Sequence, residues 1–361
     1  MKIQGLISDD ITPLVDKQLQ RLRREANLSD EDFDKLLSEE GEDIFAVLEE
    51  ESADFLAAKF TLDEFRRQVQ IANKNSQKIL EQNEDFFQLY LAYVHTAHIV
   101  YENFLEKMGK PKEVDQKVVT HLLFYGNLCR MADQIGLQLS HGHPDAALRL
   151  WRSFYEHAVV AVLLMKTNLD DLDNRFRKAT TRENKRAVES FTKRHQELKF
   201  PPLDDAIIQK AQQEYAETEE EYSKKFFSKN NAWAAPYING NASFNDVEEA
   251  TGMSRYRPFY IWSSSKVHPT YKGLSEFRDS TGATVLSFVT RQQIDRTSLI
   301  DPAQLTLNVF HVVNDYFLDL YAGHEYTINL LLFRKIYDRF GIVISEKGLD
   351  NKKSGVAEEE E

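Results

Sequence analysis

PDAALRLWRSFYEHAVVAVLLM, residues Pro144 to Met165, decides how the chain is read. From Asp145 to Met165, Leu150, Trp151, Phe154, Ala158, Val162 and Met165 recur at i, i+1, i+4, i+8, i+12 and i+15, one broad apolar face of an α-helix. Arg149, Arg152 and Glu156 share a different stripe. Arg152 and Glu156, at i and i+4, can pair; such a pair contributes about 0.2–0.5 kcal/mol when exposed, and becomes a candidate site when held in a pocket.

Working outward, EDFFQLYLAYVHTAHIVYENFLEKM (Glu84 to Met108) is a longer aromatic-rich helix that stops at Gly109, with Pro111 just beyond. Val114 to Leu139 is the next helix and ends before HGHP. Three consecutive apolar helices with short connections read as a bundle, so the fold class is all-α. On the N-terminal side, Leu28 to Ser76 is charged and helical in period. Ser29 is its N-cap with Asp32 at N3, its apolar positions are Phe33, Leu36, Leu37, Ile44, Phe45 and Leu48, and a further helix opens at Thr61.

Downstream, Asp170 to Lys199 changes character. Between Arg175 and His195 it holds eight Lys or Arg against two Glu. Arg175, Lys178, Arg182 and Lys185 fall on one helical face, a basic stripe able to hold RNA phosphates. Pro201 and Pro202 end it, and a charged helix follows from Asp204 to Ser228. Asn230 to Gly252 is rich in turns and contains one short helix. GATVLSFVT (Gly282 to Thr290) is the single strand-like segment, Ser298 to Asp301 a turn, and Pro302 the start of a helix through Tyr321. A last helix covers Glu325 to Phe340. The expected division is a small helical extension over 1–80, a helical-bundle domain over 81–345 and a disordered acidic tail over 346–361.

A chain of 361 residues can bury a sizeable core without staples, and its single cysteine, Cys129, excludes an intrachain disulfide. The N-terminus lacks the pattern of a signal peptide, and the longest apolar run, Ala158 to Met165, falls short of a membrane span. A cytoplasmic protein with no membrane partner is expected. A net charge of -13 argues against a broadly basic surface, which leaves the stripe as the one local route to nucleic acid.

A second segment, YRPFYIWSSSKVHPT (Tyr256 to Thr270), brings Ser263, Ser264 and Ser265 and then His268 before Pro269. Ser264 and His268 share a face at i and i+4. A histidine in the last turn of a helix is either bonded to a core carbonyl or a carboxylate such as Glu156, or, beside an arginine, suited to acid–base work on phosphate. Arg152 and His157 form an R-x4-H pattern, but five residues of continuous helix turn about 140° net, so the two side chains diverge. His95, His98, His121, His141 and His143 come with no metal-binding framework, so no metal or cofactor is expected. Glycine-rich phosphate loops, a G-x-S-x-G elbow and CxxC motifs are absent.

The order of these features, an R-S-F-Y-E helix, a basic stretch, a charged helix, Trp233 in a turn-rich segment and then VEEATGMSRYRPFYIWSSSKVHPT, resembles the bacterial family catalogued as domain of unknown function 5677. The resemblance spans roughly Phe86 to Tyr321 and rests on Arg152, Glu156, Tyr256, Ser264 and His268. It implies an all-helical fold similar to HEPN (higher eukaryote and prokaryote nucleotide-binding) domains, often found near mobile-element and phage-defence genes. R-x4-H resembles the pattern of the HEPN ribonucleases. Three readings follow: a metal-independent endoribonuclease of a defence or toxin system, using Arg152, Glu156, His268, Ser264 and His157; a non-catalytic interaction protein, homodimeric or bound to another protein, in which these residues form a structural polar network; or a nucleotide or phosphate sensor.

Overall fold

A computed structural model describes residues 19–21, 23–24, 26–39, 62–108, 115–268, 271, 296–323 and 326–354. The chain divides into two compact units, Met1–Lys74 and Asn75–Glu361. In the first, helix α1 (residues 30–39) starts as its sequence dictates. The Asp32 amide donates to Ser29 Oγ at 3.2 Å, while that hydroxyl donates to the Asp32 carboxylate at 2.6 Å, and Phe33 is buried. Ile44, Phe45, Leu48 and Thr61 lie outside the described residues.

Helix α2 (Leu62–Gln82) carries the boundary between the units, and α3 (Glu84–Met108), α4 (Gln116–Ser140), α5 (Pro144–Thr167), α6 (Asp170–Arg194) and α7 (Asp205–Tyr222) follow. After them come α8 (Phe244–Thr251), α9 (Arg257–Val267), α10 (Arg296–Tyr321) and α11 (Tyr326–Ser354). The fold is all-α, with no strand among the described residues. The strand-like segment Gly282 to Thr290 lies outside them.

The expected central helix is central. Helix α5 packs against α4, α10, α9 and α8. The turn before it is closed by the His141 amide on the Leu137 carbonyl at 3.2 Å and by Gly142 at φ 71, a left-handed position that glycine adopts without strain. Trp151, Phe154 and Tyr155 are fully buried, and the Phe154 ring meets Phe310 of α10 edge-on with centroids 5.6 Å apart. Between α3 and α4 the backbones approach through Gly136. A Cβ there would stand 2.8 Å from the fully buried Tyr90 ring, whose hydroxyl donates to the Ala132 carbonyl at 2.8 Å. A buried polar set crosses the same core. Tyr125 donates to Asn314 Oδ1 at 2.7 Å and Asn314 Nδ2 to Tyr93 at 3.1 Å, which ties α3, α4 and α10 in register.

Three boundaries differ from expectation. Pro302 does not begin its helix; α10 starts at Arg296 and carries Pro302 inside. The buried row Leu299, Ala303, Thr306 and Phe310 runs through the proline at helical spacing, so packing offsets the one lost backbone hydrogen bond. The charged helix ends at Tyr222, because Ser223 turns at φ 72 and the short 3-10 turn Lys224–Phe227 buries its two phenylalanines. At the C-terminal end, α11 passes Phe340 and takes in the beginning of the segment read as a tail.

Candidate functional site

The two segments singled out from sequence meet. Helix α9 lies along α5, and its C-terminal end is clamped to the start of α5 by two contacts. Arg149 Nε donates to the Lys266 carbonyl at 2.7 Å, one of the last carbonyls of α9. Lys266 Nζ pairs with Asp145 at 3.0 Å. These contacts hold His268, the C-cap residue, whose amide bonds the Ser264 carbonyl at 3.0 Å.

At that point Arg152 is the hub. Its Nη1 donates to His268 Nε2 at 2.9 Å, its Nη2 to the Tyr260 hydroxyl at 3.2 Å and its Nε to Glu156 Oε1 at 3.3 Å. Tyr260 in turn donates to the same Glu156 oxygen at 2.8 Å, closing a ring of three groups around the guanidinium. Since guanidinium only donates, the imidazole accepts at Nε2 and carries its proton on Nδ1. Burial and the bond to Glu156 raise the Tyr260 pKa, against the opposing pull of Arg152, so the phenol stays a donor at neutral pH. The Arg152 side chain is 18% exposed and Glu156 40%, and His268 is exposed. The set is therefore anchored from below and wetted from above.

The other expected residues go elsewhere. The Ser264 hydroxyl donates back to the Tyr260 carbonyl at 2.7 Å, a helical i−4 bond that turns it from the imidazole. His157 leaves Arg152, as helix geometry requires. Its Nδ1 bonds the Ser153 carbonyl at 2.7 Å, and its ring lies edge-on to Phe124 across a groove of about 800 Å³ between α4, α5, α6 and α7. The basic stripe of α6 is turned towards the acidic helix α7. Arg175 donates to the Trp233 carbonyl at 2.8 Å and lies over the rings of Tyr222 and Phe226. Lys178 pairs with Glu221 at 3.8 Å, and Lys185 pairs with Glu189 at 3.9 Å and lies over Tyr215. Arg182 is half-buried on the same face. The stripe thus packs towards α7, where it finds the Tyr215 and Tyr222 rings and the Glu221 carboxylate, while Glu189 is a neighbour of Lys185 on α6 itself.

The histidines are dispersed. His98 bonds Asp133 at 2.6 Å, His141 bonds the Leu137 carbonyl at 2.9 Å, and His121 is buried with its Nδ1 2.5 Å from the Tyr321 hydroxyl. Burial lowers the His121 pKa to about 4. Among the described residues, no group of three or more His, Cys, Asp or Glu is arranged to hold a metal, and no helix is long and apolar enough to cross a membrane.

Two groups went unnoticed as site elements in the sequence. Tyr260 is the second hub of the cluster, and its place at i−4 from Ser264 and i−8 from His268 was the available signal. Glu248 is fully buried; it accepts from Tyr155 at 2.7 Å and pairs with Arg257. Phe244, Val247 and Thr251 share its helix face, which marked the position as inward.

Residues 117–283 match the model of a family of unknown function, DUF5677. The matched stretch runs from α4 through α9 and includes both sides of the Arg152 cluster and the residues that line the groove. Comparison with curated proteins and with solved structures returns no match.

Proposed function

For a chain whose residues 117–283 match the model of a family of unknown function, DUF5677, we propose a metal-independent, HEPN-like endoribonuclease whose working pair is Arg152 and His268. The observation that carries this reading is a guanidinium held by Glu156 and Tyr260 and aimed at an exposed imidazole 2.9 Å away. A phosphate entering between them takes over the Nη1 hydrogen bond now given to Nε2, which frees that lone pair for a ribose 2′-hydroxyl. The 2′-oxygen attacks phosphorus, its proton passes to His268, and the bond to the 5′-oxygen breaks as that oxygen takes a proton from solvent water, leaving a 2′,3′-cyclic phosphate and a 5′-hydroxyl. Arg152, already oriented, stabilises the charge that builds on the non-bridging oxygens. On the strength of the HEPN-like resemblance, the same reading assigns the enzyme to a phage-defence or toxin system.

One observation favours a second reading. Arg152, Glu156, Tyr260 and His268 already satisfy one another, as a network that only fixes the register of α9 on α5 would. The experiment that separates the two is RNA cleavage in the presence of a chelator. Under the enzymatic reading, Arg152→Ala and His268→Ala each reduce cleavage by about 10²- to 10³-fold with an unchanged melting temperature. Cleavage undiminished in both variants ends the site assignment; a lowered melting temperature with no cleavage in the parent protein establishes the network instead. A nucleotide or phosphate sensor would show Arg152-dependent binding of the free ligand without turnover.

A further inference from the structure

The cluster and the groove lie on one exposed strip of α5. Counting 100° per residue from Arg152, Glu156, Ser153 and His157 fall in order at about 40°, 100° and 140°, and each is partly exposed, whereas Trp151, Phe154, Tyr155 and Ala158 fill the opposite side of the helix and are buried. Arg152 thus stands at the α9 edge of the strip and His157 at the groove edge. Helix geometry puts their Cβ atoms roughly 10 Å apart, a span suited to neighbouring nucleotides of an extended strand.

The groove is built asymmetrically. On its α4 and α6 sides stand Phe124 and Phe176, their rings in contact with centroids 5.3 Å apart; beside them are Arg177, paired with Asp173 at 2.8 Å but 41% exposed, and Lys178, loosely paired with Glu221 at 3.8 Å and 38% exposed; on its α7 side stand Glu214 and Glu217. His157 adds one more acceptor. Because its Nδ1 proton is given to the Ser153 carbonyl, its Nε2 carries the lone pair in the neutral ring. One apolar aromatic surface, cations on one side and acceptors on the other suit a nucleotide whose base lies on that surface, whose phosphate runs along α6 and whose base edge presents amino donors towards α7.

We infer that this groove binds a base of single-stranded RNA flanking the phosphate at Arg152, and that it selects amino-bearing bases such as adenine or cytosine over uracil. The inference rests on the ribonuclease reading for the path of the strand, but its own content is base-selective binding at a separate set of residues. Glu214 and Glu217 exclude a free polyphosphate from the α7 side by charge, which is why a strand with its phosphates on the α6 side is the occupant.

The test uses the full chain and 2′-O-methyl tetranucleotides, which lack the attacking hydroxyl, with affinity read by fluorescence anisotropy. The all-adenine probe is expected to bind about tenfold more tightly than the all-uracil probe. Lys178→Glu weakens both probes, while Glu217→Ala, at an exposed position, erases the preference for adenine and leaves uracil binding as it was. Equal affinities for adenine and uracil in the parent protein, or a preference that survives Glu217→Ala, overturn the inference. The two claims fail separately. Cleavage lost in Arg152→Ala and His268→Ala with no base preference leaves the ribonuclease reading standing alone. A Glu217-dependent preference for adenine without cleavage of any RNA retains the binding groove and removes the nuclease.

Discussion

Two Tyr–Glu–Arg sets join α5 to the segment that ends in α9, and they have opposite surroundings. In one, Tyr155 of α5 donates to Glu248, which pairs with Arg257, and Glu248 is 0% exposed. In the other, Tyr260 donates to Glu156 of α5, which pairs with Arg152, and Glu156 is 40% exposed. The inventory is the same and the helices are neighbours. In the first set the carboxylate and the tyrosine are sealed beneath aromatic rings, with Tyr155 stacked on Trp151 at 5.3 Å and flanked by Phe244 and Tyr256, and only Arg257 reaches the surface. The second has water on one side and an imidazole as its fourth member. A buried carboxylate can be kept only by partners that compensate its desolvation, so the first set serves the fold. The exposed set meets no such demand and can exchange a partner for a ligand.

Substitutions separate the two sets. Glu248→Ala takes the ion pair from Arg257 and leaves the Tyr155 hydroxyl only the Met253 carbonyl, and with the hole left in the core it should cost about 3 kcal/mol in denaturant unfolding, the largest effect expected; a loss below about 1 kcal/mol would erase the distinction. Arg152→Ala should lower cleavage by about 10²-fold or more while changing unfolding stability by about 1 kcal/mol or less, since water replaces its partners.

A third test contrasts this exposed site with the interior through pH. His121, buried, has its pKa lowered from 6.5 to about 4, so below pH 6.5 the unfolded chain binds the proton and the folded one does not. The stability held above pH 6.5 is therefore lost as pH falls towards about 4, by roughly 2 kcal/mol between pH 7.5 and pH 5. Replacement of His121 by Asn should flatten the part of the profile due to this group, and an unaltered slope would refute the assignment. The smallest effect is expected of Tyr260→Phe. It removes one donor to Glu156 at a half-exposed position and should cost about 1 kcal/mol of stability, with cleavage reduced several-fold through a less firmly held Arg152.

How much was legible in sequence varies by element. Helices α3, α4 and α5 could be placed to within two or three residues, because their apolar positions repeat at the helical period and Pro, Gly or His turns punctuate them. The approach of His268 to Arg152 was legible too, since each sits on a short segment whose polar residues interrupt an apolar pattern. Pro302 misled, because a proline reads as a boundary until a buried row is seen to continue through it. The basic stripe was legible only in part. Its spacing correctly places four cations on one face of α6, and spacing alone says nothing about whether that face meets water, RNA or another helix.

The amino-acid sequence by itself determined the helical class, the central place of the Pro144 to Met165 segment and the divergence of Arg152 from His157, because these follow from period and rise along one continuous helix. Only the tertiary structure decided that Arg257 meets Glu248, that α7 packs against the basic face of α6 and that Tyr260 closes the ring around Arg152. Those contacts join residues on different helices, from nine positions apart for Glu248 and Arg257 to 108 for Arg152 and Tyr260, and their partners are selected by the packing of whole helices, a property that no local pattern encodes.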